Sequence, residues 1–217
     1  MTRLLLKNRK GATTLMILGL AFSLILGIAL VTGCQSGAVL AQDIAVNSPE
    51  VQDALGGEVK VVATEIGDGK ALVICTDTEG NSYVVAEIDL ADKDVTKISD
   101  PAVGEPYLPN PQMESEVLQT ITNKLSYSPG EEVTIEMVNI GAKTISGGGV
   151  YFSVYDLCGN LLAGDGVFLA FVWAPGEGFS SFTWNQIKKN GEQVDRGTYV
   201  ILGKAGDYSD ARLISID

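Results

Sequence analysis

The side chains able to carry chemistry in this 217-residue chain are three cysteines, Cys34, Cys75 and Cys158, its serines and its 27 acidic residues; histidine is absent. A serine nucleophile needs a base, and without histidine only a lysine-based dyad remains. Neither a Gly-x-Ser-x-Gly elbow nor a Ser-x-x-Lys motif occurs. Paired carboxylates can hydrolyse glycosides, and Asp156, Asp165 and Glu177 lie near turn signals. Carboxylates in turns usually bond their own backbone instead. No carboxylate run has the spacing of a calcium loop, and the Gly164-Asp-Gly166 and Gly176-Glu-Gly178 pairs precede no helix that would cradle phosphate. The residues therefore point away from an enzyme and imply neither a cofactor nor a metal. A net charge of -12 excludes a nucleic-acid partner, which needs a basic surface.

A different candidate site lies in the aromatic-rich segment Phe168, Phe171, Trp173, Phe179, Phe182 and Trp184. On strands, alternate members of such a segment fill a core, while those facing outward at a loop end form a contact patch for protein or glycan. The residues singled out for that patch are Trp173, Pro175, Gly176 and Glu177.

The elements that must position these residues follow from patterning. Arg3, Lys7, Arg9 and Lys10 precede an uncharged stretch from Gly11 to Gln42 whose most apolar part is Leu15 to Val31, which is a secretion signal in outline. Residues 34–42 read as a tether and residues 43–99 as a small α+β module. In that module Ser48 caps a helix that starts at Pro49 and stops at Gly56-Gly57. Extended runs then cover Glu58 to Ile66, Ala71 to Thr76, Ser82 to Leu90 and Val95 to Ile98, a three- or four-stranded antiparallel meander. Residues 100–112 contain four of the seven prolines and read as a semi-rigid extended linker.

Residues 113–217 carry seven strand-like runs, Glu116 to Tyr127, Glu132 to Asn139, Val150 to Asp156, Val167 to Val172, Phe179 to Trp184, Thr198 to Lys204 and Ala211 to Ile216. Turn signals separate them, and Val133-Thr-Ile-Glu-Met alternates between one buried and one wet face. The fold class expected is thus α+β followed by an all-β, immunoglobulin-like antiparallel β-sandwich.

Val31-Thr32-Gly33-Cys34 closes the apolar block and resembles the lipobox of prokaryotic lipoproteins. The resemblance implies a signal peptide over residues 1–33, cleavage between Gly33 and Cys34, and a diacylglycerol-modified Cys34. Two acyl chains hold a protein durably on a bilayer. The competing reading is an uncleaved signal anchor; both place the rest of the chain outside the cell. Cleavage removes four of the 15 basic residues and none of the acidic ones, which moves the net charge from -12 to -16.

Val84-Val-Ala-Glu-Ile-Asp-Leu-Ala-Asp-Lys-Asp-Val-Thr-Lys-Ile loosely resembles the PepSY-type repeats of secreted prokaryotic proteins. In the second piece, Tyr127-Ser-Pro-Gly-Glu-Glu-Val-Thr-Ile, Val138-Asn-Ile-Gly, Phe152-Ser-Val-Tyr-Asp, Ala174-Pro-Gly-Glu, Phe182-Thr-Trp-Asn and Gly197-Thr-Tyr resemble the intracellular proteinase inhibitor (BsuPI-type) domain. Its carboxyl part also resembles the sandwich domains of flagellar hook-capping and bacterial surface proteins. The chain departs from the inhibitor pattern in its secretion signal and in Gly147-Gly-Gly149, read as an expanded turn. These resemblances imply an extracytoplasmic lipoprotein on the cell membrane whose sandwich binds a protein partner, a protease where the inhibitor likeness holds. The alternative is a structural or glycan-contacting spacer of the cell envelope.

Overall fold

A computed structural model describes residues 37–109 and 117–217; the lipobox, with Gly33 and Cys34, lies outside them. Residues 37–47 form helix α1 and Pro49–Leu55 helix α2. Between them Ser48 takes an extended conformation and accepts the Val51 N–H at 3.3 Å, while Gly56, at φ +75°, ends α2 in the left-handed region. Both ends fall where the sequence sets them. Residues 37–42 differ from expectation: they belong to α1 rather than to a tether. Their small side chains explain it, since Ala41 and Ala45 are fully buried and let the helix lie close to a sheet.

That sheet contains β1 (Val59–Gly67), β2 (Lys70–Asp77), β3 (Ser82–Asp89) and β4 (Asp94–Ile98) in chain order, with β5 (Ala102–Val103) added to β3. The proline-rich segment thus contributes a fifth strand instead of only spanning a gap. β2 and β3 are buried on both faces. Ala71, Val73, Cys75, Val84, Ala86 and Ile88 meet the helices. Leu72, Ile74, Tyr83 and Val85 point the other way, against Leu157, Val200 and Leu213 of the second half.

The second half forms two facing sheets. One runs β10 (Leu161–Trp173), β9 (Ile145–Asp156), β12 (Gly197–Ala205), β13 (Tyr208–Ile216) and β7 (Ser126–Tyr127). The other runs β11 (Gly178–Trp184), β8 (Val133–Asn139) and β6 (Leu118–Thr122). Ladders are antiparallel apart from β13 with β7. The run expected as one strand from Glu116 to Tyr127 therefore splits, because the chain passes from one sheet to the other at Asn123–Leu125. Tyr127 closes the crossing by donating its hydroxyl to Asn123 Oδ1 at 2.7 Å. Tyr199, in the Gly-x-Tyr position, buries its ring and donates to the Asp195 carbonyl at 2.5 Å. Its burial pushes the phenol pKa up to about 12.

Gly147-Gly-Gly149 is part of β9, not a turn. A Cβ at Gly147 would lie 2.8 Å from Gly206 Cα and 2.9 Å from the Phe171 ring, so glycine is set by close packing. Gly164 and Gly166 likewise sit within β10, where a Cβ would meet Phe152 O at 2.8 Å and Tyr151 Cβ at 2.6 Å. The molecule is consequently four layers deep: helices, a five-stranded sheet, a second five-stranded sheet and a three-stranded sheet.

The two central sheets are joined by apolar contact and by a half-buried ion pair. Arg212 donates through Nη1 to Glu65 Oε1 at 3.1 Å and through Nε to Thr122 Oγ1 at 2.7 Å. Burial raises the Glu65 pKa above the ordinary carboxylate value despite the neighbouring Arg212 charge. Folded Glu65 thus holds its proton more tightly than unfolded Glu65. Its stabilising contribution is complete below the unfolded value and disappears as pH rises through the raised one. Urea unfolding of Glu65→Gln should change stability by less than about 1 kcal/mol and flatten that pH dependence. Arg212→Met leaves a half-buried carboxylate without its charge partner and should cost about 1–3 kcal/mol above that window.

Candidate interaction surface

The four patch residues divide in the structure. Trp173 is 8% exposed and packs in the sandwich core against Phe171, with ring centroids 4.4 Å apart. Pro175, Gly176 and Glu177 are exposed on the turn between β10 and β11. That turn is closed on itself: the Ala174 N–H donates to Glu177 Oε2 at 2.7 Å, and the Gly176 N–H to the Asn139 carbonyl at 2.8 Å. Asn139, fully buried, holds it from beneath by donating its amide to the carbonyls of Trp173 and Lys143 at 2.9 Å each. Of the four residues, Trp173 is therefore a packing residue, not a contact residue.

The carboxylates weighed for catalysis are also locally occupied. Asp156 accepts from the N–H groups of Cys158 and Asn160 at 3.0 and 2.8 Å. Asp165, on a strand instead of near a turn, accepts from the Gly166 N–H at 2.7 Å. Among the described residues no group of three His, Cys, Asp or Glu could hold a metal ion, and no helix is long and apolar enough to cross a membrane. Cys75 and Cys158 are both free thiols. Cys75 faces the helices, away from the second half, and burial pushes its pKa up to about 12, which leaves it unreactive.

The apolar surface lies one element earlier, on β10. Eleven large hydrophobic side chains are exposed among the described residues, and six of them, Tyr151, Leu161, Val167, Phe168, Leu169 and Val172, belong to the β9–β10 hairpin. Clustering is the informative feature, since scattered exposed apolar residues are ordinary. The register explains it. Pairing steps from Val167↔Val150 to Ala170↔Gly148, so Phe168 and Leu169 together oppose Gly149. This β-bulge puts two residues against one, and Gly149 takes φ +98° to accommodate it. Phe168 is left 98% exposed and Val172 69%. An open groove of about 440 Å³ follows the same edge, lined by Tyr151, Ser153, Gly164, Asp165, Phe168 and Lys189.

Phe168 stood among the aromatic residues of the sequence, yet its role as the exposed member was missed. A signal existed: Val167-Phe-Leu-Ala-Phe-Val-Trp173 is apolar at every position, and a strand with one wet face cannot be. Glu65 and Arg212 gave none, being 147 positions apart.

The class that the fold defines is a mostly antiparallel β protein with a small helical N-terminal piece followed by a β-sandwich of two facing sheets, as an immunoglobulin-like fold has. No family model and no curated protein matches the sequence. Solved structures overlay in part. Spo0M, the sporulation control protein of Bacillus subtilis, does so at 21% identity and a TM-score of 0.32, over 46% of this chain and 49% of that one. Dimeric latent PorU from Porphyromonas gingivalis does so at 14% identity and 0.32, over 70% and 12%. The β-glucosidase EmGH1 of Erythrobacter marinus gives 14% and 0.30, over 46% and 15%. The matches span half or less of those chains.

Burial separates the two aromatic roles experimentally. Trp173→Ala should lower unfolding stability by about 3–5 kcal/mol, and Phe168→Ser should change it by less than about 0.5 kcal/mol, both read by urea titration.

Proposed function

We propose that this chain is a lipoprotein anchored through Cys34 to the extracytoplasmic face of the cell membrane, and that its β-sandwich acts by binding another protein. The observation carrying the second half is Phe168, a large apolar side chain almost wholly in water on a strand that also exposes Leu161, Val167, Leu169 and Val172. A free phenylalanine contributes nothing to the fold and gains about 1.5–3 kcal/mol when a partner covers it. Clustered exposed apolar residues of this kind mark binding sites. The locally satisfied carboxylates favour binding over catalysis. The anchor is supported by the lipobox-like run at the end of an uncharged block. Likeness to the BsuPI-type domain makes a protease one candidate partner.

Metabolic labelling with a radioactive fatty acid should mark the wild-type protein and not Cys34→Ala; a labelled Cys34→Ala chain refutes the anchor. Affinity capture from envelope extracts should retain one stoichiometric protein with the wild type and lose it with Phe168→Ser. Retention on polysaccharide alone would instead identify a glycan-contacting spacer.

A further inference from the structure

The edge that carries Phe168 has the properties of a surface that pairs with itself. β10 is the last strand of its sheet, so among the described residues no strand takes up its outer edge. Its thirteen residues carry a single ionisable side chain, Asp165, in a chain of net charge -12. Edge strands are normally blunted by charge, and β1 and β4 follow that rule with Lys60, and with Asp94 and Lys97. β10 does not.

Phe171 and Trp173 turn into the sandwich core, so Ala170 and Val172 lie on the opposite face of the sheet. Phe168 is exposed beyond the bulge. Consider an antiparallel pairing of two β10 strands about a two-fold axis at Ala170. Phe168 of each copy then stands across from Val172 of the other, and the small Ala170 pair lies between the two apolar contacts. This large, small, large order is complementary to itself, as an isologous interface requires. Asp165 falls opposite Pro175, beyond the paired stretch, so no like charges meet. In an acidic protein a stretch of edge free of charge lets a second copy approach without repulsion across the ladder.

The axis of such a pairing is perpendicular to the sheet. It keeps the helical layers of both copies on the same side, and both N-terminal anchors can then enter one membrane.

We infer that the partner of the β10 edge is a second copy of this chain, paired antiparallel about Ala170 into a continuous ten-stranded sheet. This rests on the reading of that edge as a protein-binding surface. The interface is apolar while the two copies repel through their net charge, so dimerisation strengthens with added salt.

The test uses the full chain in mild detergent, followed by sedimentation velocity. Wild type should be a dimer that tightens with sodium chloride. Phe168→Glu and Val172→Lys should each raise the dimer dissociation constant by on the order of tenfold or more, because each change strikes the two-fold interface twice. Their far-UV circular dichroism should match the wild type, and their melting temperatures should equal that of wild type diluted until it dissociates, which separates lost pairing from lost folding. Mixing the two variants should restore a heterodimer, since the new charges then face each other. Ala170→Cys in a Cys158→Ala background should oxidise to a covalent dimer, as paired antiparallel Cα atoms lie within disulfide reach. A monomeric wild type, a dimeric Phe168→Glu chain or a mixture that stays monomeric overturns the proposal. A monomer that still binds a different protein through Phe168 overturns the self-pairing alone and leaves the protein-binding reading intact.

Discussion

Double-sided burial of the two central sheets is the constraint on which the rest of the molecule depends. Leu72, Ile74, Tyr83 and Val85 have no cover within the first half, and Val200 and Leu213 have none within the sandwich; each set is the cover for the other. A buried side chain of this size contributes about 1.5–3 kcal/mol. The ion pair between Lys97 and Asp217 crosses the same boundary, but its partners are 49% and 32% exposed and exposed pairs are worth about 0–1 kcal/mol. Apolar contact therefore drives the docking, and the Glu65–Arg212 pair fixes its register. A first half near the lower size limit for independent folding gains from this contact the core it could not build alone.

The same constraint turns a segment that reads as a joint into part of the structure. Tyr107 donates its backbone N–H to the Leu157 carbonyl at 2.7 Å and places its ring 5.0 Å from that of Tyr155. Proline at 101 and 106 keeps this stretch extended, which suits a strand edge and a strap as well as it suits a linker. Extended conformation is what the prolines dictate. Whether it spans solvent or lies on a protein surface is decided by Ala102, Tyr107 and Leu108 between them.

Local chemistry was therefore the legible part. The Ser48 cap, the Gly56 stop, the four meander strands and the buried Tyr199 follow from residue types and their spacing over a few positions. What escaped depends on neighbours far along the chain. Gly147-Gly-Gly149 reads as a turn because glycine favours turns, yet Gly147, like Gly164 and Gly166, serves tight packing between strands. Gln186 gave no sign of its role: fully buried, it accepts from the Gly130 N–H at 2.7 Å and donates to the carbonyls of Ser128 and Glu131 at 2.9 Å each, pinning a turn some 55 positions away. Trp173 was taken for a contact residue because it borders a loop. The strand parity that turns it inward is set after the bulge at Phe168–Leu169, which shifts which side chains face the core.

The bulge also links the fold to the proposed activity. A bulge increases local twist and usually discourages edge pairing. Here it lies within the stretch that pairs, and Ala170 to Trp173 continue in regular register with β9, so each copy sets its regular stretch against the other's bulge. Its effect is to lift Phe168 clear of the sheet without breaking the edge beyond it. Orientation completes the argument. Gly37, the first described residue of α1, is three positions after Cys34, so on the proposed anchor the helical layer lies nearest the bilayer and the sheets stack above it. The β10 edge then faces sideways, in the plane in which anchored copies diffuse. Confinement to a surface raises their effective concentration, which strengthens pairing through a short apolar edge beyond what the same chain reaches in solution.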